Sequence, residues 1–122
     1  MSYRLGTDFP REGFVQAALE QYFAGCERFA AGHADLACVD QAGVRWIIEA
    51  KGETADVGLD FRTGLGQLVQ NMGDEDALYG LAVPDTQRFA NQIARVPKWV
   101  QQTLRLHWLI VAADGRVRVE RP

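Results

Sequence analysis

Between Ala77 and Val83 the chain reads A-L-Y-G-L-A-V, uncharged throughout, and stops at Pro84. A short apolar run without polar alternation offers no face to water, so it reads as a strand buried on both sides. Such a strand needs cover above and below the sheet, and the rest of the chain has to supply it.

The flanking segments are patterned to do so. From Glu12 to Phe23, residues Phe14, Val15, Ala18, Leu19, Tyr22 and Phe23 recur at helical spacing, and Gly25 follows as a stop. A short extended piece is expected around Cys26 to Ala30, then strands over His33 to Asp40 and Val44 to Lys51. Gly52 to Arg62 reads as a polar loop. Thr63 to Met72 reads as a helix with Leu65, Leu68, Val69 and Met72 on one side. After the apolar run, Asp85 is placed to cap a helix to about Arg95, and Pro97 to start another ending near Leu104. Leu106 to Ala112 and Arg116 to Glu120 are expected to form strands around an Asp114-Gly115 turn. The order predicts an α/β (α+β) sandwich spanning residues 1–122 as one domain.

The turn between the second and third strands fixes a register. If Gln41, Ala42 and Gly43 form a three-residue loop with Gly43 left-handed, Asp40 pairs with Val44. Asp35 then lies opposite Glu49. Directly opposed residues share a face, so Asp35, Glu49 and Lys51 project the same way, while Leu36, Cys38, Trp46 and Ile48 take the other face as core.

Composition narrows the setting. Hydrophobic residues make up 48% of the chain and charged ones 24%, with no apolar run near the roughly 20 residues a bilayer span requires. The opening M-S-Y-R-L-G-T-D has no apolar stretch after Arg4, so no secretory signal is expected and the cytoplasm is the default location. Cys26 and Cys38 lack zinc spacing and are expected to be buried free thiols. A net charge of −3 gives no global attraction to nucleic acid, so any such binding must rest on a local site or on a partner.

Two acids on neighbouring strands have a use in phosphodiester hydrolysis. The anionic phosphate repels a nucleophile, and a divalent cation relieves this while lowering the pKa of water. Mg2+ takes hard oxygen ligands and commonly needs only one or two carboxylates. Asp35 and Glu49 supply two, and the main-chain carbonyl of Ala50 a third. Lys51, one pleat further on, is placed to hold the attacking water or stabilise charge in the transition state.

An Asp on one strand, Glu49-Ala50-Lys51 ending the next and then a helix carrying Gln67 resembles the PD-(D/E)xK superfamily, the restriction-endonuclease-like nucleases. His33-Ala34 stands where the family motif often has an apolar residue and proline. The resemblance covers roughly residues 12 to 83. It implies a core of helix, three strands, helix and strand, with a mixed central sheet flanked by helices and a C-terminal helix/hairpin elaboration. It further implies Mg2+ (with Mn2+ able to substitute), DNA as substrate and often a homodimer. Gln67 matches the glutamine several branches place on the following helix, and Glu12 the glutamate near the start of the first helix. Glu12 shares the stripe of Val15, Leu19 and Phe23 and so points toward the sheet; a first-turn glutamate also favours the helix dipole with no further role. Both readings stand.

The expectation is a metal-dependent endonuclease with Asp35, Glu49, Lys51, Gln67 and Glu12 in its site and Asp35, Glu49 and Ala50 on the metal. The alternatives are a non-catalytic nuclease-fold subunit or interaction module of a mobile-element or defence system, with a protein partner supplying DNA recognition, or a junction resolvase. His33 falls at the sheet edge, and His107, Trp99 and Trp108 are expected to be structural. Arg62, Arg88 and Lys98 read as solvated cations.

Overall fold

A computed structural model describes residues 6–122. Met1 to Leu5, which open the N-terminal run considered above, lie outside the described residues. The elements are α1 (Glu12–Tyr22), β1 (Glu27–Arg28), β2 (Leu36–Val39), β3 (Arg45–Ala50), α2 (Val57–Gln70), β4 (Leu78–Pro84), α3 (Gln87–Ile93), α4 (Lys98–Thr103), β5 (Leu106–Val111) and β6 (Val117–Glu120). They build an α/β fold around one mixed six-stranded sheet in the order β1-β2-β3-β4-β5-β6. β3, β4 and β5 run parallel, and the flanking pairs β1-β2, β2-β3 and β5-β6 are antiparallel.

Each face of the sheet has its own apolar layer. Val15, Ala18 and Leu19 of α1 pack on Leu36, Cys38, Trp46, Ile48 and Leu109. On the opposite face Phe61 and Leu68 of α2 and Phe89 of α3 pack on Ile47, Leu81, Trp108 and Ile110. β4, the uncharged run, sits between the layers and is buried from Tyr79 to Pro84. Among the described residues no helix is long and apolar enough to cross a membrane.

The β2-β3 register is the expected one. Leu36 pairs with Ile48 and Cys38 with Trp46. The loop is held by Asp40, whose N–H donates to the Val44 carbonyl at 2.9 Å. Its carboxylate accepts from Ala42 N at 2.9 Å, Val44 N at 3.0 Å and the Trp46 indole at 3.1 Å. Gly43 takes φ +80°, where a side chain would be strained.

Several expectations need correction. The loop after β3 is shorter than the glycine and acidic residues suggested: α2 starts at Val57 rather than Thr63. Asp56 caps it by accepting from Leu59 N at 3.0 Å, and Val57, Phe61, Gly64 and Leu68 form a continuous buried stripe. Val69 falls off that stripe and is exposed. β2 starts at Leu36 because the chain turns just before it, Ala34 N donating to the Ala31 carbonyl at 3.1 Å. Thr86, not Asp85, caps α3, leaving Asp85 to pair with Arg118 at 3.3 Å. Pro97 is the N-cap of α4 rather than its first residue. Trp99 is not core at all: it is 69% exposed. The inward position on α4 goes instead to Gln101, which accepts from the Trp108 indole at 2.9 Å and donates to the Val96 carbonyl at 3.0 Å. Both cysteines are free, Cys38 buried and Cys26 half-buried.

Candidate active site

The C-terminal end of β3 opens into a cleft of about 470 Å³ lined by Glu12, His33, Asp35, Glu49, Lys51, Gln67, Gln70 and Asn71. All five side chains singled out from sequence therefore meet in one place, although they come from α1, the approach to β2, β3, the residue after it, and α2.

The hairpin does most of the positioning. Extending the β2-β3 register by one step sets Asp35 opposite Glu49 on the face turned toward α2. Asp35 Oδ2 accepts from Ala50 N at 2.8 Å, so its carboxylate replaces the strand partner that the turn at Ala31–Ala34 removes. In an antiparallel ladder a residue's N–H and C=O point to the same neighbour. The Ala50 carbonyl therefore faces the edge where Asp35 stands. Lys51 N donates to the Ala82 carbonyl at 2.9 Å, continuing the β4 ladder and holding the lysine backbone in strand geometry.

Two glycines make the close approaches possible. A Cβ at Gly52 would strike the backbone nitrogen of Glu12, so the start of α1 can lie against the end of β3 only with glycine there. A Cβ at Gly64 would meet Lys51 Cγ and Leu81 Cδ1; its absence lets the lysine stem pass beneath α2. Lys51 Nζ then reaches Glu12 Oε1 at 3.8 Å. Glu12 thus points to the cleft, the orientation its stripe with Val15, Leu19 and Phe23 suggested.

Glu49 is 4% exposed and hydrogen-bonded by Asn71 Nδ2 at 3.2 Å. Burial pushes its carboxyl up to about 8; a hydrogen bond to Asp35 and the negative charge of Asp35 add to this, while Lys51 and Asn71 pull the other way. Glu12 is also raised, chiefly by burial, against the lowering influence of Lys51.

Sequence reasoning missed Asn71 and Gln16. Asn71 follows Gln67 by one helical turn and Gln16 follows Glu12 by one turn, so i, i+4 spacing was the signal available. Gln16 Nε2 donates to the Asp35 carbonyl at 3.2 Å, tying α1 to the acid's backbone. His33, expected at the sheet edge, lines the cleft as well. Gln67 lines it from an exposed position, and its carbonyl accepts from Asn71.

A divalent cation fits this donor set. Two acidic side chains side by side, one of them buried, are relieved by a positive charge between them, and the Ala50 carbonyl shares their edge. Among the described residues no three His, Cys, Asp or Glu side chains form a metal cage. Two carboxylates and a carbonyl leave positions for water and substrate, as Mg2+ favours. No family model and no curated protein matches this chain.

Proposed function

We propose that this protein is a Mg2+-dependent nuclease of the PD-(D/E)xK type, hydrolysing DNA phosphodiester bonds. The observation that carries the reading is the convergence of Asp35, Glu49 and Lys51 at the end of β3, on one face and in one cleft. The order helix, three strands, helix, strand over residues 12–84 fits the same type, with α3, α4 and the β5-β6 hairpin as the elaboration.

In this reading Asp35, Glu49 and the Ala50 carbonyl would hold a divalent cation, which would neutralise phosphate charge and lower the pKa of water. The residues of the chain do the rest. Asn71 fixes the Glu49 carboxyl in the cleft and Gln16 fixes the backbone of Asp35. Lys51 offers its ammonium to the attacking water or to charge growing on the phosphate, and Glu12 holds that ammonium over the cleft until substrate arrives. Gln67 and His33 also line the cleft, where they can meet the phosphate or its leaving side.

The acidic balance of the chain, −3 overall, favours a second reading in which the same fold serves as a subunit and a partner supplies DNA affinity. Calorimetric titration with Mg2+ and Mn2+ separates the two. Heat from the wild type that disappears in Asp35→Ala and Glu49→Gln supports the metal site, and absence of heat in all three leaves the subunit reading. A plasmid-nicking assay then tests the lysine: Lys51→Ala should bind metal normally and cut at least 100-fold more slowly. Cutting at the wild-type rate would refute its role.

A further inference from the structure

From Thr86 to Ala113 the chain contains Arg88, Arg95, Lys98 and Arg105 and no acidic residue, so this segment carries +4 while the remainder of a −3 protein carries −7. The segregation survives folding. Arg11, Arg28, Arg45, Arg116 and Arg118 each have a carboxylate within 3.9 Å. Among the described residues Arg95, Lys98 and Arg105 have none, and only Arg88 of the segment is paired, to Glu53 at 3.3 Å. Arg62 and Arg121 also lack one among the described residues, and the other three flank or lie on α4, which shares no residue with the cleft.

Trp99 falls between them in the chain. Val100, Gln101 and Leu104 turn α4 toward the sheet, so Lys98, Trp99, Gln102 and Thr103 face outward. Trp99 is 69% exposed and takes part in none of the aromatic contacts among the described residues. Solvated cations alone are ordinary. A large indole left in water between unpaired cations is not, because a small apolar or polar side chain would serve solubility better at that position.

We propose that the α4 surface binds single-stranded nucleic acid, with an unpaired base stacked on Trp99 and neighbouring phosphates held by Arg95, Lys98 and Arg105. The cations match the repeating negative charge of the backbone, and the indole matches a π-face that a duplex keeps hidden in its stack. An acidic protein segment would satisfy the charges and leave the indole without a use. The proposal does not rest on the cleft being a nuclease.

The test uses the intact protein in buffer with EDTA, so that no cation occupies the cleft. A single-stranded oligothymidylate of about 16 nucleotides is titrated in, followed by tryptophan fluorescence and by anisotropy of a labelled copy. Trp46 and Trp108 are buried, so quenching reports Trp99. The wild type should bind with quenching and prefer the single strand to a duplex of equal length. Trp99→Ala should weaken binding on the order of 10-fold with little change in salt dependence. Arg95→Ala with Lys98→Ala should lower the salt slope by roughly two units. Equal affinity in Trp99→Ala overturns the proposal, as does equal competition by polyglutamate. Capture by phosphatidylserine vesicles without any response to the oligonucleotide also overturns it, in favour of a membrane surface. Asp35→Asn, which alters only the cleft, should bind the oligonucleotide like the wild type; a loss there would place the contact in the cleft and refute a separate surface.

Discussion

Glu49→Gln is the substitution whose effect follows most directly from the cleft. Glutamine keeps the shape and an oxygen for Asn71, and removes the ionisation. The Glu49 carboxyl moves from an ordinary 4.5 to about 8 on folding. A carboxyl raised in this way favours the native state fully below about 4.5, and that advantage drains away as pH rises through about 8, because the unfolded chain ionises first. Between pH 5 and 7.5 the wild type should therefore lose about 2 to 3 kcal/mol relative to Glu49→Gln. At about 4 °C per kcal/mol for a chain of this length, the two melting temperatures should move by on the order of 10 °C relative to each other. The assay is thermal unfolding of both proteins from pH 5 to 7.5 with EDTA present. Melting curves that shift in parallel across that range would refute the reasoning, since they would mean that Glu49 ionises as easily in the fold as outside it. Asp35→Asn should flatten the wild-type curve in part, by removing the neighbouring charge that helps keep Glu49 protonated.

Metal binding should release close to one proton from Glu49, so Mg2+ affinity should climb about tenfold per pH unit between pH 6 and 7.5, read by calorimetry in buffers of different ionisation heat. Two glycines of α2 should respond oppositely to alanine. Gly64→Ala, which drives a methyl into Lys51 and Leu81, should destabilise by about 1–3 kcal/mol, whereas Gly66→Ala, facing open space, should stabilise by about 0.5–1 kcal/mol in urea unfolding. Asp40→Ala should cost about 1–3 kcal/mol through loss of its three hydrogen bonds. The Asp40 carboxyl is held below its ordinary value by the Val44 N–H first, so this contribution should be present at neutral pH and vanish on acidification as Asp40 protonates.

The parts of the site that were legible from sequence are those fixed by strand alternation. Gly43 and Asp40 set a loop whose length admits one register, and that register alone aligned Asp35, Glu49 and Lys51. The parts that were not legible depend on neighbours distant in sequence. The first turn of α2 reads as loop because Gly58 and three acids crowd it; only the packing of Val57 and Phe61 on the sheet turns it into helix. The orientation of α4 was hidden because a glutamine takes the inward place, and nothing local announces that Trp108, 7 residues further on, will satisfy it. Asn71 was obscured by lying past the end of α2, where its side chain reaches back to Glu49.

The loop at Gln41–Gly43 lies at the far end of the β2-β3 ribbon from the acids, about 17 Å away along five residues of strand. It nevertheless acts as the vernier of the cleft. Adding one residue there while keeping a three-residue loop would slip β2 by one position against β3 and carry Asp35 beneath α1 while Glu49 stayed under α2. Surface loops usually tolerate such changes; this one dictates whether two oxygens a whole strand away can ever share a ligand.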